Sequence, residues 1–391
     1  MIPVEEAAAR VLALARPLGG ETVPIGQAAG RVLAAEARAG RAQPPFDAAA
    51  MDGYALADGD PAPGAVFEVV GEAAAGRRFP GAVGPGQAVR IFTGAQVPRG
   101  ARRVVIQEEV RRDGERIEIL PTLGPGSNIR PFGGDFALGA TLAPPRRLGP
   151  AELSLLAAMN LPRLTVYSRP EVALIATGDE IVMPGDAPGE DQIVGSNLFG
   201  LKAIVEAEGA RARILPVARD TEAALTAAFR LAEGADVIVT IGGASVGAHD
   251  LVARVAQGLG VEMAFHKVAM RPGKPLMSGR FGPAVMLGLP GNPVSALVCG
   301  MLFLAPLLRA LQGLPDPQPK PLATVLAVDV AANGPRAHYM RARHEDGAIT
   351  PFADQDSSLL SVLAEANALL IRPVDDPARK AGETVPYLPL R

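Results

Sequence analysis

Between Glu171 and Gly313 the chain alternates two kinds of segment, and no other feature restricts its architecture as strongly. EVALIAT, ARILPV, ADVIVTI and PAVMLGLP are continuous apolar runs, and VEMAFHKVAM adds a further strand. SNLFGLKAIVEAEG, with a serine or asparagine cap, TEAALTAAFRLAEG, DLVARVAQGLG and NPVSALVCGMLFLAPLLRALQG have helical spacing. A strand without a polar face must be covered on both sides, and strands joined through helices run parallel. The pattern predicts a parallel sheet between two helical layers. In such sheets ligands lie beyond the carboxyl ends of the strands.

The rest of the 391 residues is punctuated by glycine (44) and proline (37), so two to four domains are expected. Residues 4–16 have the spacing of an amphipathic helix. From about Ala50 to Leu142 short β-like runs (AVFEVVGE, QAVRIF, RRVVIQEEV) are separated by PG, GPG and DG turns, and a helix follows Gly149-Pro150. After the proline-rich LQGLPDPQPKP, short β runs return (ATVLAVDV, AHYMRARH, GAITPF, NALLIRP, ETVPYLPL), which predicts a second small β domain. A net charge of −3 without a basic block argues against nucleic acid as a partner. One cysteine, Cys299, and four histidines exclude a disulfide framework and disfavour a Cys/His zinc site, so a hard cation on oxygen ligands is the metal to expect. MIPVEEAAAR has no basic stretch followed by an apolar one, so no signal peptide is expected. The apolar stretch Ala296–Leu308 falls short of the roughly 20 residues that span a bilayer, so it is expected to be a buried helix in a cytoplasmic protein with no membrane partner.

Four segments fall at predicted strand ends: TGDE (Thr177–Glu180), Arg219-Asp220, GGASVGAHD (Gly242–Asp250) and LPGNPVS (Leu289–Ser295). Each alone reads as an ordinary turn or cap; Asp220, for instance, could cap a helix from Thr221 onward. Gathered at one sheet edge they point to a ligand. The glycine run offers bare N–H groups and a helix start near Asp250, which suits a phosphate, and no Gly-Lys-Ser/Thr follows to make it a Walker loop. Asp250 is either a cap or the holder of a divalent cation against that phosphate. In AMRPGKPLMSG, Arg271 and Lys274 flank Pro272-Gly273, with Lys267 nearby, a pattern fitted to a tetrahedral anion.

FDAAAMDGYA, FTGAQVPRGA, ATGDE, GGASVGAHD, RPGKP and LPGNPVSA, in that order, resemble the molybdopterin molybdenumtransferase family, the bacterial MoeA type also seen as the E domain of gephyrin. The resemblance covers nearly the whole chain. It implies a multi-domain α/β plus β fold: a three-layer α/β molybdopterin-binding domain (169–314) with an N-terminal helix (1–20) packed on it, a β-rich N-terminal domain (50–135), an elongated connecting domain (21–49 and 136–168) and a C-terminal β-barrel (315–391). It implies insertion of molybdenum from molybdate into the dithiolene of adenylylated molybdopterin, with release of AMP and support from Mg²⁺.

By the same resemblance, Asp52, Glu180, Asp220 and Asp250 are the expected catalytic carboxylates, and Glu180, Asp220 and Asp250 the metal ligands. Thr93, Asp135, Gly242, Gly243, Ser245, Gly247, Pro290, Gly291, Asn292 and Pro293 would bind substrate. Ser245, Arg271, Lys274, Arg341 and Ser357 would face molybdate. The family's two-fold arrangement implies an L-shaped homodimer whose sites are shared between subunits, with transient contact to a molybdopterin adenylyltransferase and to apo-molybdoenzymes. Three departures from the family pattern stand out: Ala48 and Ala49 where FDNSAMDGYA is usual, Arg271 where KPGKP is usual, and GAHD, with His249, where GEAD or GEYD is commoner. The rival expectations are an adenylyltransferase sharing the α/β domain and a gephyrin-like scaffold without catalysis.

Overall fold

A computed structural model describes residues 1–243 and 251–390. Its centre is a six-stranded sheet in the order Arg211–Ile214, Glu171–Ala176, Val237–Ile241, Ala284–Leu289, Met277–Phe281, Glu262–His266. The first four strands are parallel, as expected. Met277–Phe281 runs against them and Glu262–His266 reverses once more, so both pair antiparallel and the sheet is mixed and not wholly parallel. The cause is a hairpin at Gly282, whose φ of 57° lets Phe281 pair with Ala284. MSGRF has no apolar run to announce it as a strand.

Strand residues alternate between two apolar layers. Val172, Leu174, Val237, Val239 and Ile241 face a core shared with Asn197–Ala207 and the long helical run 293–311. Ala173, Ile175 and Ile238 face a second core under Glu222–Leu231 and Leu251–Gly258. Both sides are covered, which is why the strand sequences lack polar positions. The N-terminal helix Val4–Leu14 adds Val4, Ala7, Ala8 and Val11 to the first core. It stops where Ala15 turns extended, two residues before Pro17.

Residues 293–311 form the most apolar helix. By length and composition it could cross a membrane, but most of it is buried inside the protein as the core helix. Pro293 sits at its first turn, behind Asn292 at the N-cap position. It contains one π turn, Gly300–Leu304. Pro306 follows, with no N–H to return to the carbonyl one turn earlier, which accounts for the local widening.

Before this unit, Gly20–Pro24, Arg163–Tyr167, Val32–Leu33 and Arg146–Arg147 make a four-stranded sheet. Between its halves lies a six-stranded sheet in the order Arg103–Ile106, Gly53–Leu56, Gln87–Ile91, Val66–Ala73, Arg116–Ile119, Val110–Asp113. After it, Ala337–Glu345, Ala348–Pro351, Leu322–Leu326, Thr384–Pro389 and Ala368–Arg372 pair in turn. The last strand pairs back onto the first and closes a barrel. Met270–Arg271, from the α/β unit, adds to Ala337–His338 and fixes the RPGKP turn to the barrel.

Candidate functional site

The carboxyl ends of the parallel strands open into a cleft of about 720 Å³. Its floor is backbone. Gly242 and Gly243 follow the strand Val237–Ile241 with φ of 95° and 65°. A Cβ on Gly242 would lie 2.8 Å from the Thr177 carbonyl oxygen, and one on Gly243 would lie 2.3 Å from a Val252 methyl. Thr177 N–H donates to the Ile241 carbonyl (2.9 Å) and Gly242 N–H to the Leu289 carbonyl (3.1 Å), which ties three strand ends together. The floor is bare because the Thr177 carbonyl at Gly242 and the Val252 side chain at Gly243 already fill the space of a side chain.

Glu180 and Asp220 line this cleft. The helix behind Asp220 is capped by Thr221, whose hydroxyl accepts from Ala224 N–H (3.2 Å). Asp220 is therefore not the cap, and its carboxylate is left for the cleft. Its pKa is raised above the ordinary carboxylate value, first by desolvation and then by the charges of Asp179 and Glu180. Asp179 is the member of this acidic group that sequence reasoning did not single out, although it stands inside TGDE. Among the described residues no three His, Cys, Asp or Glu side chains are grouped to hold a metal ion.

One wall is the short pair Ile181–Val182 and Ile193–Val194, closed by Ile193 N–H to the Glu180 carbonyl (2.8 Å). Ile193 and Val194 are exposed apolar side chains lining the cleft. The opposite wall is the PGNP turn. Asn197 Nδ2 donates to the Gly291 carbonyl (2.7 Å) and holds that turn from the neighbouring helix. Pro290, Gly291, Asn292 and Pro293 all line the cleft, as do Gly242 and Gly243. Asn197 and the 181–194 pair carried no chemical signal in the sequence; only the tertiary arrangement finds them.

At the far end the barrel domain closes in. Asn292 Nδ2 donates to Ser357 Oγ (2.8 Å), Val294 N–H donates to the Ser357 carbonyl (3.0 Å), and Ser358 lines the cleft. Arg341 was expected to present its guanidinium to an oxyanion. It is instead 1% exposed and spends its donors on the segment that carries these serines. Nε donates to Gln355 Oε1 (3.3 Å), and Nη1 to the carbonyls of Asp356 (2.8 Å) and Leu359 (3.3 Å). Gln355 answers by donating to the Arg341 carbonyl (2.9 Å). Arg341 anchors the segment 354–359 from beneath.

Arg271, on the exposed edge strand, is close enough to lower the pKa of both Arg341 and Asp356. Burial is the larger cause at Arg341, and the Ser358 hydroxyl and N–H are the larger causes at Asp356. Gly273, at φ 112°, seats the RPGKP turn against Cys299, whose Sγ would lie 2.5 Å from a Cβ there. That contact fixes the position of the neighbouring Lys274.

Of the expected residues that are described, Arg271, Lys274, Arg341 and Ser357 are not among those lining the cleft, and Asp52, Thr93 and Asp135 lie in other units. Asp52 and Thr93 form their own pair in the six-stranded β unit: Asp52 Oδ1 accepts from Thr93 N–H (2.7 Å) and Thr93 Oγ1 (2.8 Å). These two bonds, the backbone one first, hold the Asp52 pKa below the ordinary value. Asp135 is exposed just before the Gln43–Phe136 bridge, with its N–H on the Gln43 carbonyl (2.9 Å). Ser245, Gly247, His249 and Asp250 lie outside the described residues.

Comparison with known proteins matches all three parts of the chain. Residues 2–160 match the MoeA N-terminal region (domain I and II), residues 173–310 a probable molybdopterin binding domain, and residues 323–390 the MoeA C-terminal region (domain IV). Molybdopterin molybdenumtransferase 2 of Mycobacterium tuberculosis is 36% identical over 387 residues, covering 95% of this chain and 94% of that protein. A molybdopterin molybdenumtransferase of Nostoc sp. is 35% identical over 363 residues, covering 89% and 83%. The solved molybdopterin biosynthesis moeA protein of Pyrococcus horikoshii OT3 is similar with a TM-score of 0.84 at 27% identity, covering 99% of this chain and 100% of that one.

Proposed function

The chain belongs to the MoeA family of molybdopterin molybdenumtransferases, enzymes of molybdenum cofactor biosynthesis, and we propose that it inserts molybdenum from molybdate into the dithiolene of adenylylated molybdopterin with release of AMP. The observation that carries this reading is the composition of one cleft. Bare glycine backbone and the PGNP turn suit the phosphates and pterin, an acidic group stands on one side, and a serine segment anchored by Arg341 stands near Arg271 on the other.

The donor set fits a hard divalent cation. Glu180 and Asp220 offer oxygen ligands, Asp179 adds negative charge, and Mg²⁺ fills the remainder of its shell with water and substrate phosphate rather than an all-protein cage. When bound, it would neutralise the phosphates and polarise the bond whose cleavage frees AMP. Gly242 and Gly243 let the substrate backbone approach closely. Asn292 and Ser357, already bonded to each other, place donors at the oxyanion end, and Arg271 and Lys274 supply the charge that holds molybdate there. Most of the rate gain is then positioning. Asp250 and Ser245 are assigned to the same cation and oxyanion by resemblance alone.

Asp52, Thr93 and Asp135 complete the site from a second copy of the chain. What supports this is that they are polar, accessible and outside the cleft of their own chain. The protein works in the cytoplasm as a homodimer in this proposal.

The test is to supply adenylylated molybdopterin and Mg²⁺ with and without molybdate. AMP should appear with molybdate, one per molybdenum bound. Consumption of ATP with free molybdopterin would instead identify an adenylyltransferase, and binding without AMP release would identify a scaffold.

A further inference from the structure

A second cavity, of about 650 Å³, opens at the amino ends of the strands Glu171–Ala176 and Arg211–Ile214, the sheet edge opposite the cleft. It lies in the seam between the α/β unit and the four-stranded sheet that precedes it. Five arginines line it: Arg31, Arg147, Arg169, Arg211 and Arg213. Three of them are answered by carboxylates. Arg31 donates to Glu21, Arg147 to Glu208 (3.2 Å) and Arg211 to Glu171 (3.2 Å). The other lining carboxylate, Glu206, belongs to Lys202.

Two guanidinium groups remain without a carboxylate. Arg213 donates only to the carbonyls of Leu231 (3.4 Å) and Glu233 (3.1 Å), which carry no charge. Arg169 has no side-chain partner among the described residues. Both are half-buried. Two uncompensated cations in a concave, partly desolvated site have the charge of one dianion, and the planar guanidinium fork matches a phosphate group better than it matches a single negative atom.

We propose that this cavity is a second anion site that takes the phosphate dianion of a small molecule between Arg169 and Arg213. Because the arginines come from both sides of the seam, an occupant ties the four-stranded sheet to the α/β unit. The site is separate from the transfer chemistry and does not depend on it.

Binding of inorganic phosphate and of ribose 5-phosphate to the full chain, measured by calorimetry at low salt, tests this. The comparison is wild type against Arg169→Gln/Arg213→Gln, with Arg77→Gln, an exposed arginine paired with Glu72 on the β-rich unit, as control. The double variant should weaken phosphate binding at least tenfold and the control should not change it. Unaltered melting temperature without ligand checks that the double variant is folded, and Arg169→Gln alone, which removes no contact, guards against loss of fold in the double. Ribose 5-phosphate binding as well as or better than phosphate would point to an ester as the natural occupant, and weaker binding to the free ion. Phosphate binding of equal affinity and stoichiometry in wild type and the folded double variant would overturn the proposal.

Discussion

Asp220 is the residue on which the acidic side of the cleft turns. Its raised pKa means that burial and the neighbouring carboxylates favour its neutral form in the folded protein. The sign follows: the charged form costs stability above that pKa, and the cost disappears as pH falls through it. Cation support needs the charged form, so the Mg²⁺ requirement should rise at a pH above the ordinary carboxylate range. Asp179→Asn removes the larger of the two like charges and should move that acid limb to lower pH in a pH profile of AMP release. Asp220→Asn should raise the Mg²⁺ concentration for half-maximal AMP release by roughly tenfold, about 1.4 kcal/mol, and an unchanged requirement would remove Asp220 from the cation site.

His338 supplies an independent check on the barrel. It is 7% exposed, its Nε2 has no partner, and burial followed by Arg271, Arg341, Arg336 and Arg372 pushes its pKa down to about 4. A histidine held neutral in the fold but free to charge when unfolded stabilises above pH 6.5, and that contribution is lost as pH falls toward 4. Urea titrations between those pH values should lose up to about 3 kcal/mol, with a flatter slope in His338→Gln. At this scale the sequence revealed residue types more readily than directions. Glu180 and Asp220 were legible only together, because each alone reads as a turn or cap and it was their shared sheet edge and the family resemblance that singled them out. The burial of Arg341 was not, because which face of a barrel strand points inward depends on closure with strands far away in sequence.

Elements place these residues, and two glycines are the sharpest points at which to test that. Gly243→Ala would push a methyl into Val252 at a positive φ, and Gly273→Ala would push one into Cys299. Each should cost about 1–3 kcal/mol in urea unfolding. Gly273→Ala should also raise the molybdate concentration for half-maximal transfer, since it displaces Lys274. Arg341→Ala should do the same by releasing the segment 354–359, while binding of the adenylylated pterin changes little. Loss of pterin binding with an unmoved molybdate requirement would contradict that role. The parallel strands were legible as elements because both their faces are buried. The strand MSGRF and the pairing of Met270–Arg271 with the barrel were not. Their sequences are short and mixed, and their conformation is set by partners rather than by local preference.

For the whole molecule, ordered motifs spread along the chain made the family legible, and the three matched regions bear it out. What remained beyond single-chain reasoning is how a site gathers residues from distant units. Glu180 and Asp220 meet at one cleft, whereas Asp52 and Thr93 pair with each other in another unit. The proposal that the site is completed across a two-fold dimer makes a countable claim. Take Asp52→Asn and Asp220→Asn, mix them by co-expression with mixed dimers verified by mass, and assay at a limiting Mg²⁺ concentration at which Asp220→Asn alone releases little AMP. If each site uses Asp52 of one chain and Asp220 of its partner, a mixed dimer holds one doubly altered site and one intact site. Since about half the dimers are mixed, AMP release should recover to roughly a quarter of wild type. Activity that stays at the level of the single variants would mean that both residues serve the same site from one chain, and would contradict the shared active site.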